Sequence, residues 1–147
     1  MEKEKTFSLI LAIAGTTLVW LPVIFMVITG IVGSISAHQL LVDYMLPAEL
    51  GFMVIVGAAT LLWAAIRERS YIKPIAITAG LALLMIVGCS GVAAISGLAS
   101  GRVTEAQAPL ALTVSMALLI GYDLMVVLLG LFGLFMTLTI GYSTKKK

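Results

Sequence analysis

Asp123 is the residue with the clearest chemical potential, because it is the single acid in the apolar stretch LLIGYDLMVVLLGLFGLFMTLTIGY at 118–142. A carboxylate at the centre of a membrane helix costs about 2.5 to 3.5 kcal/mol, so such groups usually pair, bind a cation or meet water. Counting about 20 residues back from Gly141 puts Asp123 close to the outer boundary. We therefore keep two interpretations: a proton or cation site, or an interfacial acid hydrogen-bonded to Tyr44, Tyr122 or an outer-loop backbone group.

Glu49 is the second candidate ion-site residue. It falls in the first turn of a predicted helix, where a negative charge suits the helix dipole, and this structural role is sufficient by itself. It also shares a helical stripe with Met53, Val56, Thr60 and Trp63. If that stripe faces the bundle interior, it would combine with the small and hydroxyl residues of the first span into a modest polar path; those residues are Gly15, Pro22, Thr29 and Ser36.

His38 and Asp43 complete the set of candidates for a proton or cation site. His38 is the only histidine, so a bis-His haem within one chain is excluded. Together with Glu49 and Asp123 these two residues would form an outer-side site, but nothing in their spacing brings the four together. An ordinary headgroup contact is the simpler interpretation of a lone interfacial histidine.

Catalytic signatures are missing from the sequence. Cys89 is the only cysteine, which excludes an intramolecular disulfide, a CxxC redox pair and a cysteine-based zinc site. Neither HExxH nor a P-loop is present, and the methionines are scattered. We assign no catalytic residue and no metal site, leave the cofactor open, and rank an enzyme or a quinone-handling redox subunit third among the functional hypotheses.

The composition identifies the elements that must position these residues. Of the 147 residues, 61% are hydrophobic and 11% are charged. This composition gives the chain far more apolar surface than a small soluble core can bury. A helix crosses a hydrocarbon layer of about 30 Å with about 20 residues. Four segments are long enough, and none alternates as a barrel strand does. We predict one all-α domain, 1–147, with four transmembrane helices at about 7–34, 47–66, 74–99 and 109–141.

The basic residues predict the orientation of the helices. With the N-terminus inside, only Arg102 of the nine Lys and Arg residues falls in an outer loop. We therefore predict an up-down bundle in the cell membrane with both termini cytoplasmic, with the lipid bilayer and no nucleic acid as partner. The first outer connection is unusually apolar and predicts a short interfacial helix at about 37–46.

Helical spacing predicts which faces of the last two spans meet protein. In the fourth span we expect one stripe towards protein and the opposite one towards lipid. The first contains Asp123, Val127, Gly130, Leu134, Thr137 and Gly141, and the second contains Met125, Leu128, Phe132, Phe135 and Met136.

The third span carries small residues around its whole circumference, a pattern typical of close helix packing. The packing candidates there are Gly88, Gly91, Ala93, Gly97 and Gly101, and the last three lie at four-residue intervals. Intramolecular packing is the simpler interpretation, and self-association the alternative.

Two functional hypotheses follow. The first is a transport or channel-type protein, either a monomer or a homo-oligomer, that uses the acidic outer-half site. The second is a non-catalytic subunit or assembly factor of a larger membrane complex, with the third span as its docking helix.

Overall fold

The computed structural model describes residues 2–37, 48–97, 100 and 109–145, and the side chains of 5–31, 51–97, 100 and 109–143. Four helices account for nearly all of them: α1 (Glu2–Ala37), α2 (Ala48–Glu68), α3 (Ile72–Ile95) and α4 (Pro109–Lys145). The predicted all-helical fold with four long helices is confirmed. The predicted interfacial helix falls almost entirely outside the described residues.

Each of the four helices is long and apolar enough to cross a membrane. Their outer faces are apolar as well, which soluble proteins rarely tolerate over a large continuous area. Large hydrophobic side chains from every helix are exposed, among them Ile10, Phe52, Leu84 and Leu138. These features indicate a multi-pass membrane protein.

Glycines allow α1 and α2 to pack in close contact. A methyl group added at Gly57 would lie 2.8 Å from Val19 Cγ2 and 3.0 Å from the Gly15 carbonyl oxygen. One added at Gly15 would lie 2.6 Å from Thr60 Oγ1. Since neither backbone can retreat cheaply, both positions require glycine, and the crossing point of the two helices is fixed there.

Helix α4 packs against α1 through two further glycines. A methyl group at Gly130 would lie 2.8 Å from Trp20 Nε1, and one at Gly133 would lie 2.6 Å from Thr16 Oγ1. The Gly133 position also borders Leu61 of α2, at 3.2 Å. Gly130, which the sequence analysis placed on the protein-facing stripe of the fourth span as a candidate for helix packing, has such a contact, and Gly133 has the same role.

Helix α3 lies at the edge of the bundle, where it packs mainly along α4. Its buried residues are only Ile75, Thr78 and Ala82. A methyl group added at Gly88 would lie 3.6 Å from Leu118, an ordinary contact, whereas one at Gly91 would meet nothing within 4 Å. Of the two glycines, only Gly88 therefore contributes to the α3–α4 interface.

The end of α3 differs from the prediction. The helix stops at Ile95, and Gly97 follows with φ 81°, a left-handed conformation that favours glycine. The N–H of Gly97 donates to the Ala94 carbonyl, as in a helix C-terminal cap. Ala93 is half-buried within the helix. The expectation of one helical stripe through Ala93 and Gly97 is wrong, because Gly97 terminates the helix; Gly101 lies outside the described residues.

The buried face of α4 also differs from the predicted one. Buried positions recur every three or four residues, at Tyr122, Val126, Leu129, Gly133, Met136 and Ile140. Asp123 and Gly130 are buried at the flank of this stripe. Leu134, assigned to protein, is 41% exposed, and Met136, assigned to lipid, is fully buried. The two assignments are wrong because lipid and the helix interface are both apolar, so hydropathy does not separate them.

Candidate functional site

Asp123 is buried in the bundle, with only 8% of the residue exposed. Both carboxylate oxygens are inaccessible, and neither has a hydrogen-bond partner within the part of the chain that the structure describes. The predicted hydrogen bond to Tyr122 is therefore absent, and Tyr44 lies outside the described residues. A buried polar group without a partner costs free energy, so its retention calls for a reason.

The flank of α4 that carries Asp123 faces α1. Asp123 and Gly130 are seven residues apart, nearly two helical turns, and so project to the same side of α4. Gly130 packs against Trp20 of α1. The carboxyl group therefore points towards the half of α1 that follows Trp20.

The residues before Asp123 meet the other two helices. A methyl group on Gly51 of α2 would lie 3.9 Å from the Tyr122 hydroxyl oxygen and 3.7 Å from Ile86 of α3. One on Gly121 would lie 2.8 Å from the Met85 sulfur. Gly121 and Tyr122 thus face α3 and α2, and the spacing to Gly130 directs Asp123 towards α1.

The level of Gly51 and Ile86 gives the depth of the site. At 1.5 Å per residue, Gly51 lies about 24 Å along α2 from Arg67, and Ile86 about 20 Å along α3 from Lys73. Arg67 and Lys73 mark the basic end of this helical hairpin. In a hydrocarbon layer of about 30 Å, Asp123 therefore falls in the third furthest from the basic end.

Between Asp123 and the basic end, the described interior is almost entirely apolar. Val19, Leu61, Val126, Leu129 and Met136 are fully buried there. Trp63, which the predicted polar stripe of α2 placed inside, is 61% exposed. The condition for the predicted polar path, that this stripe of α2 faces the interior, is not met at Trp63, because α2 turns Gly57 and Leu61 inwards instead.

The threonine hydroxyl groups near this core already donate hydrogen bonds within their own helices. Thr16 donates to the Ala12 carbonyl at 2.7 Å, and Thr78 donates to the Pro74 carbonyl at 2.7 Å. Thr60 donates to the carbonyl oxygens of Val56 and Gly57. Such bonds to the preceding turn satisfy the hydroxyl hydrogen within the helix. They offer no chain of free donors leading to Asp123.

The other predicted site residues are only partly described. Glu49 lies in the first turn of α2, two residues before Gly51, but its side chain is outside the described set. His38 and Asp43 lie outside the described residues altogether. Among described residues, no group of three or more His, Cys, Asp or Glu side chains could hold a metal ion. Of the four predicted site residues, the structure therefore describes only the side chain of Asp123. A common site with His38, Asp43 and Glu49 stays a prediction.

An apolar groove of about 420 Å³ runs along the outside of α1. Its walls come from α1 and from Leu134 of α4, and they include Trp20, Leu21, Ile24 and Phe25. The Trp20 indole N–H, buried against Gly130, has no hydrogen-bond partner among the described groups. Most of the lining comes from one face of α1 between Thr16 and Ile28, and sequence analysis did not single out this face because an apolar stripe on a membrane helix is equally typical of a lipid-facing surface.

The chain was compared with protein-family models, curated protein sequences and solved structures, and no match was found. The site must therefore be interpreted from its own geometry.

Proposed function

We propose that the chain is an up-down four-helix protein of the cell membrane with both termini in the cytoplasm. The helix contacts support this arrangement, since Thr16 meets Gly133 while Trp20 meets Gly130, in opposite chain directions. The distribution of Lys and Arg supports the orientation. Asp123 then lies towards the outer face of the membrane.

In this arrangement the protein acts as a small transporter that binds a proton or another cation at Asp123, as a monomer or as a homo-oligomer. The supporting observation is the carboxyl group itself, which is buried, without a hydrogen-bond partner among the described groups, and directed into the bundle rather than into lipid. Acids retained at such positions in membrane helices commonly mark ion or proton pathways.

The apolar interior favours a carrier over an open pore. Fully buried Leu61, Leu129 and Met136 fill the bundle between Asp123 and the basic end. The shorter route between Asp123 and water therefore leads to the outer side, and we expect ion exchange at Asp123 to take place there. Passage to the inner side requires a second arrangement of the helices, as alternating access does.

Flux measurements in liposomes test the proposal. We expect purified protein to move protons or a cation faster than protein-free liposomes, and Asp123→Asn to lose that flux. Glu105→Gln removes an acid from the second predicted outer loop and is the matched control, expected to keep the flux. Equal flux in the wild type and Asp123→Asn, with both variants folded, refutes the role of Asp123.

A second candidate function is a non-catalytic subunit or assembly factor of a larger membrane complex. It is favoured by the sparse burial of α3, of which Leu84 and Val87 are more than 60% exposed. Methyl groups at Gly80 and Gly91 would meet nothing within 4 Å, which leaves room for another helix to approach closely. Purification in mild detergent tests this function, which predicts a different protein in fixed ratio. A stable chain without a partner counts against it.

A further inference from the structure

We propose that the ion bound at Asp123 is a proton and not a metal cation. This inference rests on the proposed transport function and specifies its substrate. It follows from what surrounds the carboxyl group on each helix.

Within the described part of the chain, the oxygen donors needed for a metal cation are lacking around Asp123. Hard cations such as Ca²⁺ take six to eight oxygen ligands, and Mg²⁺ takes an octahedral set. The carboxylate supplies two oxygens, and no described polar atom is hydrogen-bonded to them. No described cluster of His, Cys, Asp or Glu supplements them either. A proton, in contrast, needs only one oxygen lone pair.

Helix α1, which the carboxyl group faces, contributes no charge. Its residues from Thr6 to Ala37 include no acidic, basic, histidine, cysteine or tyrosine side chain. The α1 segment level with Asp123, counted from the contact between Trp20 and Gly130, runs from about Val23 to Gly30. Its only hydroxyl, on Thr29, donates to the carbonyl oxygens of Phe25 and Met26.

The titratable groups of the other helices are few. In its outer half α3 has only Cys89, whose thiol donates to the Ser115 carbonyl at 3.5 Å. Within α4 the neighbour is Tyr122, whose hydroxyl lies towards Gly51 of α2. Helix α2 has Glu49 in its first turn, an acid and not a counter-cation. No cation in the outer half of any described helix is available to pair with a negative Asp123.

A bound proton resolves the energetic difficulty of this environment. A charged carboxylate buried without a partner carries a large desolvation penalty, whereas the neutral acid carries only that of a polar group. Uptake of a proton makes the carboxyl group neutral. A neutral carboxyl group moves through apolar surroundings at a lower free-energy cost than a charged one. Release requires water or a base, which the outer side supplies.

Two measurements on the full-length protein test the inference. The first is proton flux in liposomes, driven by a pH gradient in buffers that contain only a large organic cation, for the wild type, Asp123→Asn and Glu105→Gln. The second is infrared difference spectroscopy of the same proteins, which detects the carbonyl band of a protonated carboxylic acid. We expect flux without any metal cation and a carboxylic acid band, with both lost in Asp123→Asn and kept in Glu105→Gln.

The outcomes separate this inference from the proposed function. If flux requires added Na⁺, K⁺ or Mg²⁺, and the acid band is missing at all pH values, the proton is wrong while transport stands. If the band is present and lost in Asp123→Asn, but nothing moves faster than in protein-free liposomes, the proton site stands and transport is wrong. An unchanged band in folded Asp123→Asn overturns the inference.

Discussion

The close contact between α1 and α2 predicts a large difference between two identical substitutions. In Gly57→Ala the new methyl group would lie 2.8 Å from Val19 Cγ2 and 3.0 Å from the Gly15 carbonyl oxygen. In Gly80→Ala it would meet nothing within 4 Å. Both glycines lie inside helices, so both variants gain the same intrinsic helix preference, about 1 kcal/mol.

The difference between the variants therefore isolates the steric cost at the helix crossing. Adding a methyl group to a filled interior typically costs about 1 to 3 kcal/mol. We expect the free energy of unfolding of Gly57→Ala to fall below that of Gly80→Ala by about this amount, with Gly80→Ala at or above the wild type. The low end applies if Val19 changes rotamer, and the high end if the backbones separate.

Equilibrium unfolding in mixed detergent and SDS micelles, followed by circular dichroism, measures both free energies. Gly30→Ala is a second control, because a methyl group there also meets nothing within 4 Å. If Gly57→Ala and Gly80→Ala unfold with equal free energies, the two helices do not cross at Gly15 and Gly57.

Three further outcomes are expected. Gly97→Ala places a side chain at φ 81° and should lower the free energy of unfolding by about 1 to 2 kcal/mol, while Gly91→Ala, at an open position, should not lower it. Asp123→Leu, which keeps the side-chain shape but removes the buried polar oxygens, should raise the free energy of unfolding by about 1 to 3 kcal/mol and abolish ion flux; a destabilised variant contradicts the absence of a partner. The Arg67 guanidinium lies 5.2 Å from the centre of the Phe7 ring, so Arg67→Gln should cost about 0.5 to 1 kcal/mol, a loss that a Phe7→Leu background removes in a double-mutant cycle.

The sequence was sufficient to predict the four helices, because the length and hydropathy of a segment determine whether it can span a membrane. It was not sufficient to predict which face of α4 is buried, since a methionine such as Met136 is equally compatible with lipid and with a helix interface. The crossing at Gly57 was missed for a related reason. A single glycine in an apolar helix shows where close approach is permitted, and only the partner helix decides whether it occurs.

The sequence predicted that Asp123 has an unusual environment for an acid, but it did not predict which helix the carboxyl group faces. Its position in an apolar helix indicated either a site or an interfacial acid, and the first-turn placement of Glu49 was read correctly from Pro47 and the following apolar run. What the sequence left open was the direction of the carboxyl group. That direction depends on Gly130 packing against Trp20, a contact between residues 110 positions apart.

Stability and function make opposite demands on Asp123. Packing alone favours an apolar residue there, because the α1 segment from about Val23 to Gly30 presents no free donor to a carboxylate and the described neighbours leave both oxygens without hydrogen bonds. An acid at this position is useful only if it is sometimes neutral and sometimes charged, and the change must be reached from the outer side because the inner core is filled with apolar side chains. Under the proposed transport function, a proton-binding group that is closed off from one side of the membrane represents one of the two states of an alternating-access cycle. In the same proposal, the other state is reached by separation of α1 and α4 near Trp20, whose indole N–H has no hydrogen bond to a described group that this separation would break.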